Sequence, residues 1–439
     1  MVSQKKIWQK RRKNKKEIYN MINQDYSFKE FNYLVLRGDY FTYFKTNKNT
    51  KTANKKQKEE LLKNITANND LNDYTFSTIC SKKRSGKKIY CLKKFNRDNY
   101  IDRLTDDFVL RRLNQIIKRT YDIQQGDRFS IVKTIQTLLE SNFTFYIYKT
   151  DINRFYESID RNNILKNMKD SALLSYTTKS LLKSLFENNI FAESGLPRGI
   201  NVSASLAEYY MRKFDAGIRA MEGVFFYARY VDDIIIFSTK IITLDTEKQI
   251  CDLLPLGLSF NKDKTKTIIF PDSDNDTIDE PHFDFLGYRF SRHKNTGKNK
   301  FIVDIVISHK KIIRIKTKIV HCLLDFRKTN DISLLKDRLL FLTANYPLKT
   351  ARQKTSKYEK IGALHGGIAY NYPIISDISC LKKLDIFLYQ SIHLNNKFGL
   401  SEYQKNLLRK YSFVVGFDRH ITRRFKLERV KQIKRCWDD

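Results

Sequence analysis

The chain has 439 residues, 41% of them hydrophobic and 13% aromatic, with 30 Phe and 25 Tyr; this is enough apolar side chain for a sizeable core and excludes wholesale disorder. Only 15 Gly and 6 Pro occur, which excludes collagen-like repeats and Gly-rich linkers. The 82 Lys and Arg against 48 Asp and Glu, a formal +34, suit a polyanionic partner because each neutralised phosphate releases counterions, and no apolar run of membrane-spanning length occurs.

The charge is unevenly placed. Residues 1–100 carry 25 basic and 9 acidic side chains, residues 301–439 carry 28 and 12, and the middle, 101–300, carries 29 and 27. Two basic flanks thus enclose a near-neutral, acid-rich centre, cationic surface for a phosphate backbone around carboxylates that hold cations. A lysine-rich genome alone would not spare the centre.

In chain order, MVSQKKIWQKRRKNKKEIYN lacks the apolar stretch of a signal peptide. It is a basic, partly helical arm that serves either nucleic-acid contact or a solvated face. Residues 81–94, SKKRSGKKIYCLKK, predict a basic hairpin turning at Ser85-Gly86. Helices are predicted over 101–121 and 129–140. FTFYIYKTD predicts a strand ending on Asp151, followed by helices from about Arg161 and within 170–190. GLPRGINVSASLAEYYMRKFDAGIRAM turns from a loop into a long helix, and VFFYARYVDDIIIFS predicts two β-arms around Val231-Asp232-Asp233. A helix at 243–253, a strand closing LSFNKDKTKTIIF and one short strand in HFDFLGYRF come next. From about 305 the chain is predicted helical and basic, with a helix–loop junction at His365-Gly366-Gly367.

The six cysteines (Cys80, Cys91, Cys251, Cys322, Cys380, Cys436) form no CxxC pair, so reduced thiols in a cytoplasmic protein are expected rather than a zinc site or disulfide framework. DSDNDTIDE at 272–280 has the look of a calcium loop, but Thr277 stands where a Gly is needed and Phe283 where a Glu is needed. A solvated loop is predicted there.

The central order of strand, helix, helix, β-hairpin, helix, strand is a split βαβ arrangement: an α+β fold with a small antiparallel sheet backed by helices. It is expected to bring Asp151 beside Asp232. Phosphoryl transfer to a 3′-hydroxyl needs two divalent ions about 3.5–4 Å apart, and Mg²⁺ needs carboxylate oxygens. An acidic pair between two apolar β-arms, with a third acid at a strand end, has that chemistry; an acidic pair in a polar turn is commonly structural.

In this setting YARYVDDIIIFS resembles the YxDD hairpin of reverse transcriptases, and DINRFYESI resembles that family's first metal-binding motif. GLPRGINVSASLAEYYM is similar to the motif that floors the nucleotide pocket, LSFNKDKT to the lysine-bearing motif and FLGYRF to the primer-grip strand. The five motifs stand in family order over roughly residues 145–290, with a weaker match upstream at DRFSIVKTIQTLL. The resemblance implies a right-hand polymerase: a basic helical extension over 1–80, fingers over 81–142, a palm over 143–304 with a fingers insertion near 162–190, and a basic helical thumb and C-terminal region over 305–439.

It further implies that Asp151, Asp232 and Asp233, joined by the Ile152 carbonyl, hold two Mg²⁺ ions, with Mn²⁺ as a substitute. Tyr156 falls at the steric gate that excludes a ribose 2′-hydroxyl, an ordinary core tyrosine being the alternative. Lys264 matches the lysine that faces the departing pyrophosphate, a solvated lysine being its rival. Pro197, Arg198 and Gly199 would line the nucleotide pocket, Arg128 would reach the triphosphate, and Phe285, Leu286, Gly287 and Tyr288 would grip the primer. Many family members carry Gln where this chain has Arg198; the guanidinium either meets a phosphate or base edge or turns outward.

The implied partners are an RNA template or noncoding RNA, a DNA primer or product, dNTPs, and a second subunit or homo-oligomer, with no membrane. The YVDD and LPRG motifs are most similar to those of bacterial antiphage defence-associated reverse transcriptases of the unknown-group and abortive-infection kinds. Retron or group II intron enzymes, a template-independent DNA polymerase and a catalytically silent RNA-binding scaffold are the alternatives.

Overall fold

The computed structural model describes residues 24–35, 58–60, 62–63, 71–84, 87–93, 100–192, 194–272, 280–294, 300–347, 365–393 and 396–437. The N-terminal arm, the Ser85-Gly86 turn and most of the 272–280 loop lie outside them. Two compact units interleave along the chain: 1–125, 150–222 and 243–264 form the first, and 126–149, 223–242 and 265–439 the second.

In the first unit, strands β1 (Ile79–Arg84) and β2 (Lys87–Leu92) pair antiparallel. Cys80 faces Cys91 across the hairpin with sulfurs 3.7 Å apart, and all six cysteines are thiols. The helix Tyr100–Thr120 buries Leu104, Phe108, Leu113, Ile116 and Ile117. It packs on the long helix Asn201–Ala220, which buries Val202, Leu206, Met211, Phe214 and Ile218 at helical spacing. Two charged groups inside this unit are matched. Arg112 gives Nε to Asp25 O at 2.7 Å and Nη1 to Glu30 at 2.9 Å. Asp106 accepts from Thr78 N at 2.7 Å and Oγ1 at 2.6 Å, and burial still pushes its carboxyl up.

In the second unit, β3 (Phe145–Asp151), β4 (Val224–Tyr230), β5 (Asp233–Ser238) and β6 (Lys266–Phe270) form a sheet in the order β4-β5-β3-β6. The β4–β5 and β3–β6 pairs are antiparallel. The last two residues of β3, Thr150 and Asp151, belong to the first unit. Ile234, Ile235, Ile236 and Phe237 are all fully buried, so β5 is covered on both faces. The stretch expected to hold one strand is a hairpin instead, β7 (His282–Phe285) and β8 (Tyr288–Lys294), because Leu286 (φ 48°) and Gly287 (φ 87°) turn the chain between them. With β9 (Phe301–Ile307) they make a separate three-stranded sheet.

The predicted helical region follows, chiefly His309–Thr329, Ile332–Thr343 and Ser379–His393. His365-Gly366-Gly367 is not a helix–loop junction alone: it is a strand, β11 (His365–Gly367), pairing with β10 (Asn345–Pro347). One core joins sheets and helices of this unit, from Phe145 and Phe237 through Phe290 and Ile305 to Leu323, Leu339 and Leu384. Buried Arg292 spans it, giving Nη1 to Ser141 O at 2.7 Å and Nη2 to Pro271 O at 2.6 Å beneath the Phe301 ring. No helix among the described residues is long and apolar enough to cross a membrane.

Candidate functional site

In the first unit, Asp151 closes β3 with 8% of its surface exposed. The segment 259–264 runs beside it: Asn261 N donates to Asp151 O at 2.8 Å, Asn153 N to Ser259 O at 2.9 Å, and Ile152 bridges Phe260. That alignment carries Lys264, at the end of the turn Lys262–Lys264, to Asp151, where its Nζ donates to Oδ1 at 2.8 Å. After Asp151 the chain passes through Arg154 at φ 42° into the one-turn helix Phe155–Ser158. Phe155 is buried and Tyr156 half-buried beside it, the rings meeting edge-on with centroids 5.4 Å apart.

The loop bearing Pro197, Arg198 and Gly199 packs on that turn. Leu196 N donates to Tyr156 O at 2.7 Å, and Tyr90 N of β2 donates to Arg198 O at 2.7 Å. Gly199 (φ 97°) allows the approach, since a Cβ there would lie 2.3 Å from Tyr90 O. Pro197 is buried. Arg198 turns to Glu157: Nε and Nη2 meet the two carboxylate oxygens at 2.7 and 2.9 Å, with Cζ 5.0 Å from the Tyr156 ring centroid.

In the second unit, Tyr230 pairs with Asp233, so Val231 and Asp232 form the hairpin tip. Val231 has φ 64°, a costly conformation for a β-branched residue. Arg229 Nη1 holds its carbonyl at 3.0 Å. Asp232 and Asp233 are half-buried. In the β7–β8 hairpin, Phe285 and Tyr288 are buried while Leu286 and Gly287 form the turn.

Arg128, expected to reach a triphosphate, spends its donors on carbonyls of its own unit. Nε and Nη2 bind Leu286 O at 3.1 and 2.8 Å, and Nη1 binds Asn371 O at 2.6 Å. Its guanidinium stands over Tyr288 at 4.8 Å and Tyr372 at 5.6 Å.

Two participants carry no sequence signal. Glu157 is one acid among 48. Lys311 lies by the Gly287 turn, 3.4 Å from where a Cβ would sit. Burial, then the like charges of Arg314, Arg128 and Lys310, hold its ammonium below the ordinary lysine value, with Asp233 acting in the opposite sense.

Among the described residues no three His, Cys, Asp or Glu side chains converge as a ready-made metal cage. Within the first unit Asp151 carries the Lys264 ammonium on its carboxylate; within the second, Asp232 and Asp233 stand next to one another at the β4–β5 turn, and carboxylate oxygens of this kind are the donors a hard divalent cation takes.

Residues 97–290 match the family described as reverse transcriptase (RNA-dependent DNA polymerase). No curated protein sequence matches the chain. Among solved structures the chain is similar to apo telomerase from Candida tropicalis, at 14% identity and a TM-score of 0.36 over 83% of this chain and 65% of that one. It is similar to telomerase from Candida albicans in complex with a TWJ fragment of telomeric RNA, at 13% identity and a TM-score of 0.34 over 78% and 65%. A Candida tropicalis apo telomerase truncated from its C-terminal domain aligns at 14% identity and a TM-score of 0.34 over 49% and 53%. The chain thus matches between 53% and 65% of the length of these telomerases.

Proposed function

We propose that this chain, whose residues 97–290 match the reverse-transcriptase family, is an RNA-directed DNA polymerase, a nucleotidyltransferase that extends a primer with deoxynucleotides. The observation that supports this reading best is the Lys264 ammonium on Asp151 Oδ1 at 2.8 Å. Two motif residues 113 positions apart meet there at a strand end, a pairing that neither motif needs for its own local structure.

In this reading Asp151, the Ile152 carbonyl, Asp232 and Asp233 hold two Mg²⁺ ions, or Mn²⁺ in their place. Such ions, when bound, lower the pKa of the 3′-hydroxyl and take charge from the leaving pyrophosphate. Lys264, paired with Asp151, would face the departing pyrophosphate and screen or protonate it. Tyr156 fills the space beneath the sugar and excludes a 2′-hydroxyl. Pro197, Arg198 and Gly199 floor the nucleotide pocket, and Phe285, Leu286, Gly287 and Tyr288 hold the primer end, with Arg128 bracing their turn. The layout assigned is fingers over 81–142, palm over 143–304 and thumb with C-terminal region over 305–439, preceded by the basic extension over 1–80. The template is RNA, and the role is antiphage defence in the bacterial cytoplasm, on the similarity of the YVDD and LPRG motifs.

The test is incubation of purified protein with Mg²⁺ and labelled dNTPs, with and without RNA that copurifies from cells, followed by sequencing of the product. DNA that copies the RNA supports the reading, and a structured RNA encoded beside the gene would make the enzyme a retron or group II intron type. DNA of arbitrary sequence without RNA would replace the templated reading by a template-independent polymerase. No product with any divalent metal, with RNA binding intact, would leave an RNA-binding scaffold.

A further inference from the structure

We infer that Arg198 is a positioning residue for sugar selection, clamping the Tyr156 ring by way of the Glu157 carboxylate. The inference rests on the reading of Tyr156 as the gate against ribonucleotides.

A gate of this kind works by volume, and it discriminates only while its ring stays where the 2′-hydroxyl would go. Two neighbouring side chains meet the Tyr156 ring. Phe155, itself 1% exposed, meets it edge-on with centroids 5.4 Å apart. Over the ring stands the Arg198 guanidinium, its Cζ 5.0 Å from the ring centroid. A guanidinium plane over a tyrosine face is attracted by the ring quadrupole, but a long arginine side chain alone would wander. Glu157 removes that freedom with a two-point carboxylate pair at 2.7 and 2.9 Å. Because Glu157 follows Tyr156 directly on the helix Phe155–Ser158, the acid that anchors the arginine is fixed to the backbone of the ring it covers.

The arginine's own backbone is fixed as well. Tyr90 N holds Arg198 O at 2.7 Å and Leu196 N holds Tyr156 O at 2.7 Å. Gly195 (φ 78°) lies so close to the turn that a Cβ would stand 2.8 Å from Glu157 Cα and from Tyr156 O. Loop, acid and ring therefore form one braced assembly within the first unit. A glutamine at 198, as many reverse transcriptases carry, has neither the charge to pair with Glu157 nor the cation to stack on Tyr156. This chain's departure from the usual residue is thus matched by a partner placed to use it.

The experiment compares kcat/KM for a deoxynucleoside and the matching ribonucleoside triphosphate in the wild type, Tyr156→Ala, Arg198→Gln, Arg198→Lys, Glu157→Ala and the Arg198→Gln/Glu157→Ala pair. Tyr156→Ala serves as reference and loses most of the discrimination. Arg198→Gln and Glu157→Ala are each expected to relax it roughly three- to tenfold, through a lower KM for the ribonucleotide. The double variant should be no more relaxed than the more relaxed of the two single variants, since both remove one clamp. Arg198→Lys keeps the charge without the plane and should fall between. Wild-type discrimination in Arg198→Gln and Glu157→Ala, with Tyr156→Ala relaxed, overturns the clamp and leaves the gate standing. Unchanged selectivity in Tyr156→Ala overturns both. A KM raised equally for both sugars in Arg198→Gln makes the arginine a direct triphosphate contact, which also overturns the positioning role.

Discussion

Lys264 and Asp151, 113 residues apart in the chain, meet in an ion pair of 2.8 Å whose lysine and aspartate side chains are 52% and 12% exposed. An ion pair with so open a lysine contributes little to folding, about 0–1 kcal/mol. Its placement therefore points to chemistry. Lys264→Ala is expected to leave the melting temperature within about a degree or two while lowering single-turnover incorporation roughly 10²-fold, the range of a lost proton donor. Calorimetry and rapid-quench kinetics on the same preparation decide it; unaltered turnover would make Lys264 a solvated lysine if the melting temperature holds, and a structural one if it falls.

The hairpin tip gives a second expectation. Asp232→Ala with Asp233→Ala removes two half-buried carboxylates from the tip, where Val231 is strained at φ 64°. Incorporation should drop by at least ~10³-fold, the scale of losing charge stabilisation at the reacting phosphate. Nucleic-acid affinity, carried by basic side chains, should stay within a few-fold by filter binding. Wild-type synthesis in the double variant would remove these acids from any metal-holding role.

Arg128 separates two roles cleanly. If it braces the β7–β8 turn, Arg128→Ala takes the guanidinium from Leu286 O and from Asn371 O, the latter keeping the Tyr288 hydroxyl at 3.3 Å. The expected cost is about 1–3 kcal/mol, seen as a lower denaturation midpoint. A triphosphate contact would instead show a raised KM for dNTP with the midpoint intact.

Asp127 caps the helix Arg128–Leu139, accepting from Ser130 Oγ at 2.7 Å and Ser130 N at 2.8 Å. The Ser130 hydroxyl, then its amide, hold the carboxyl below the usual carboxylate value. With the folded value depressed, the stabilisation is present above the unfolded aspartate value near ~3.9. It is lost as pH falls through the folded value. Asp127→Ala should therefore cost about 1 kcal/mol at pH 7, and the gap to wild type should narrow in acid. A gap independent of pH would contradict the cap.

How much of this was legible in the chain depends on how local each feature is. The β-arms around Val231 and Asp232 announced themselves by apolar runs flanking an acid pair, and β4 and β5 form there. The helix expected over 129–140 runs from Arg128 to Leu139 because Asp127 supplies its cap and Ile131, Val132, Ile135 and Leu139 its buried face. HFDFLGYRF was harder. Its apolar alternation fits one strand, and only the left-handed backbone at Leu286 and Gly287 divides it into two.

By itself the sequence determined most of the elements and the order of the motifs, because strand period, helix caps and turn residues act within a few positions. The tertiary structure alone decided which of 82 basic side chains found which partner. It set Arg128 on the Leu286 carbonyl, Arg198 on Glu157 and Tyr156, and Lys311 beside the Gly287 turn. A guanidinium on a long flexible stem reaches any acid or carbonyl the fold brings near, so its choice follows from packing between segments far apart in sequence.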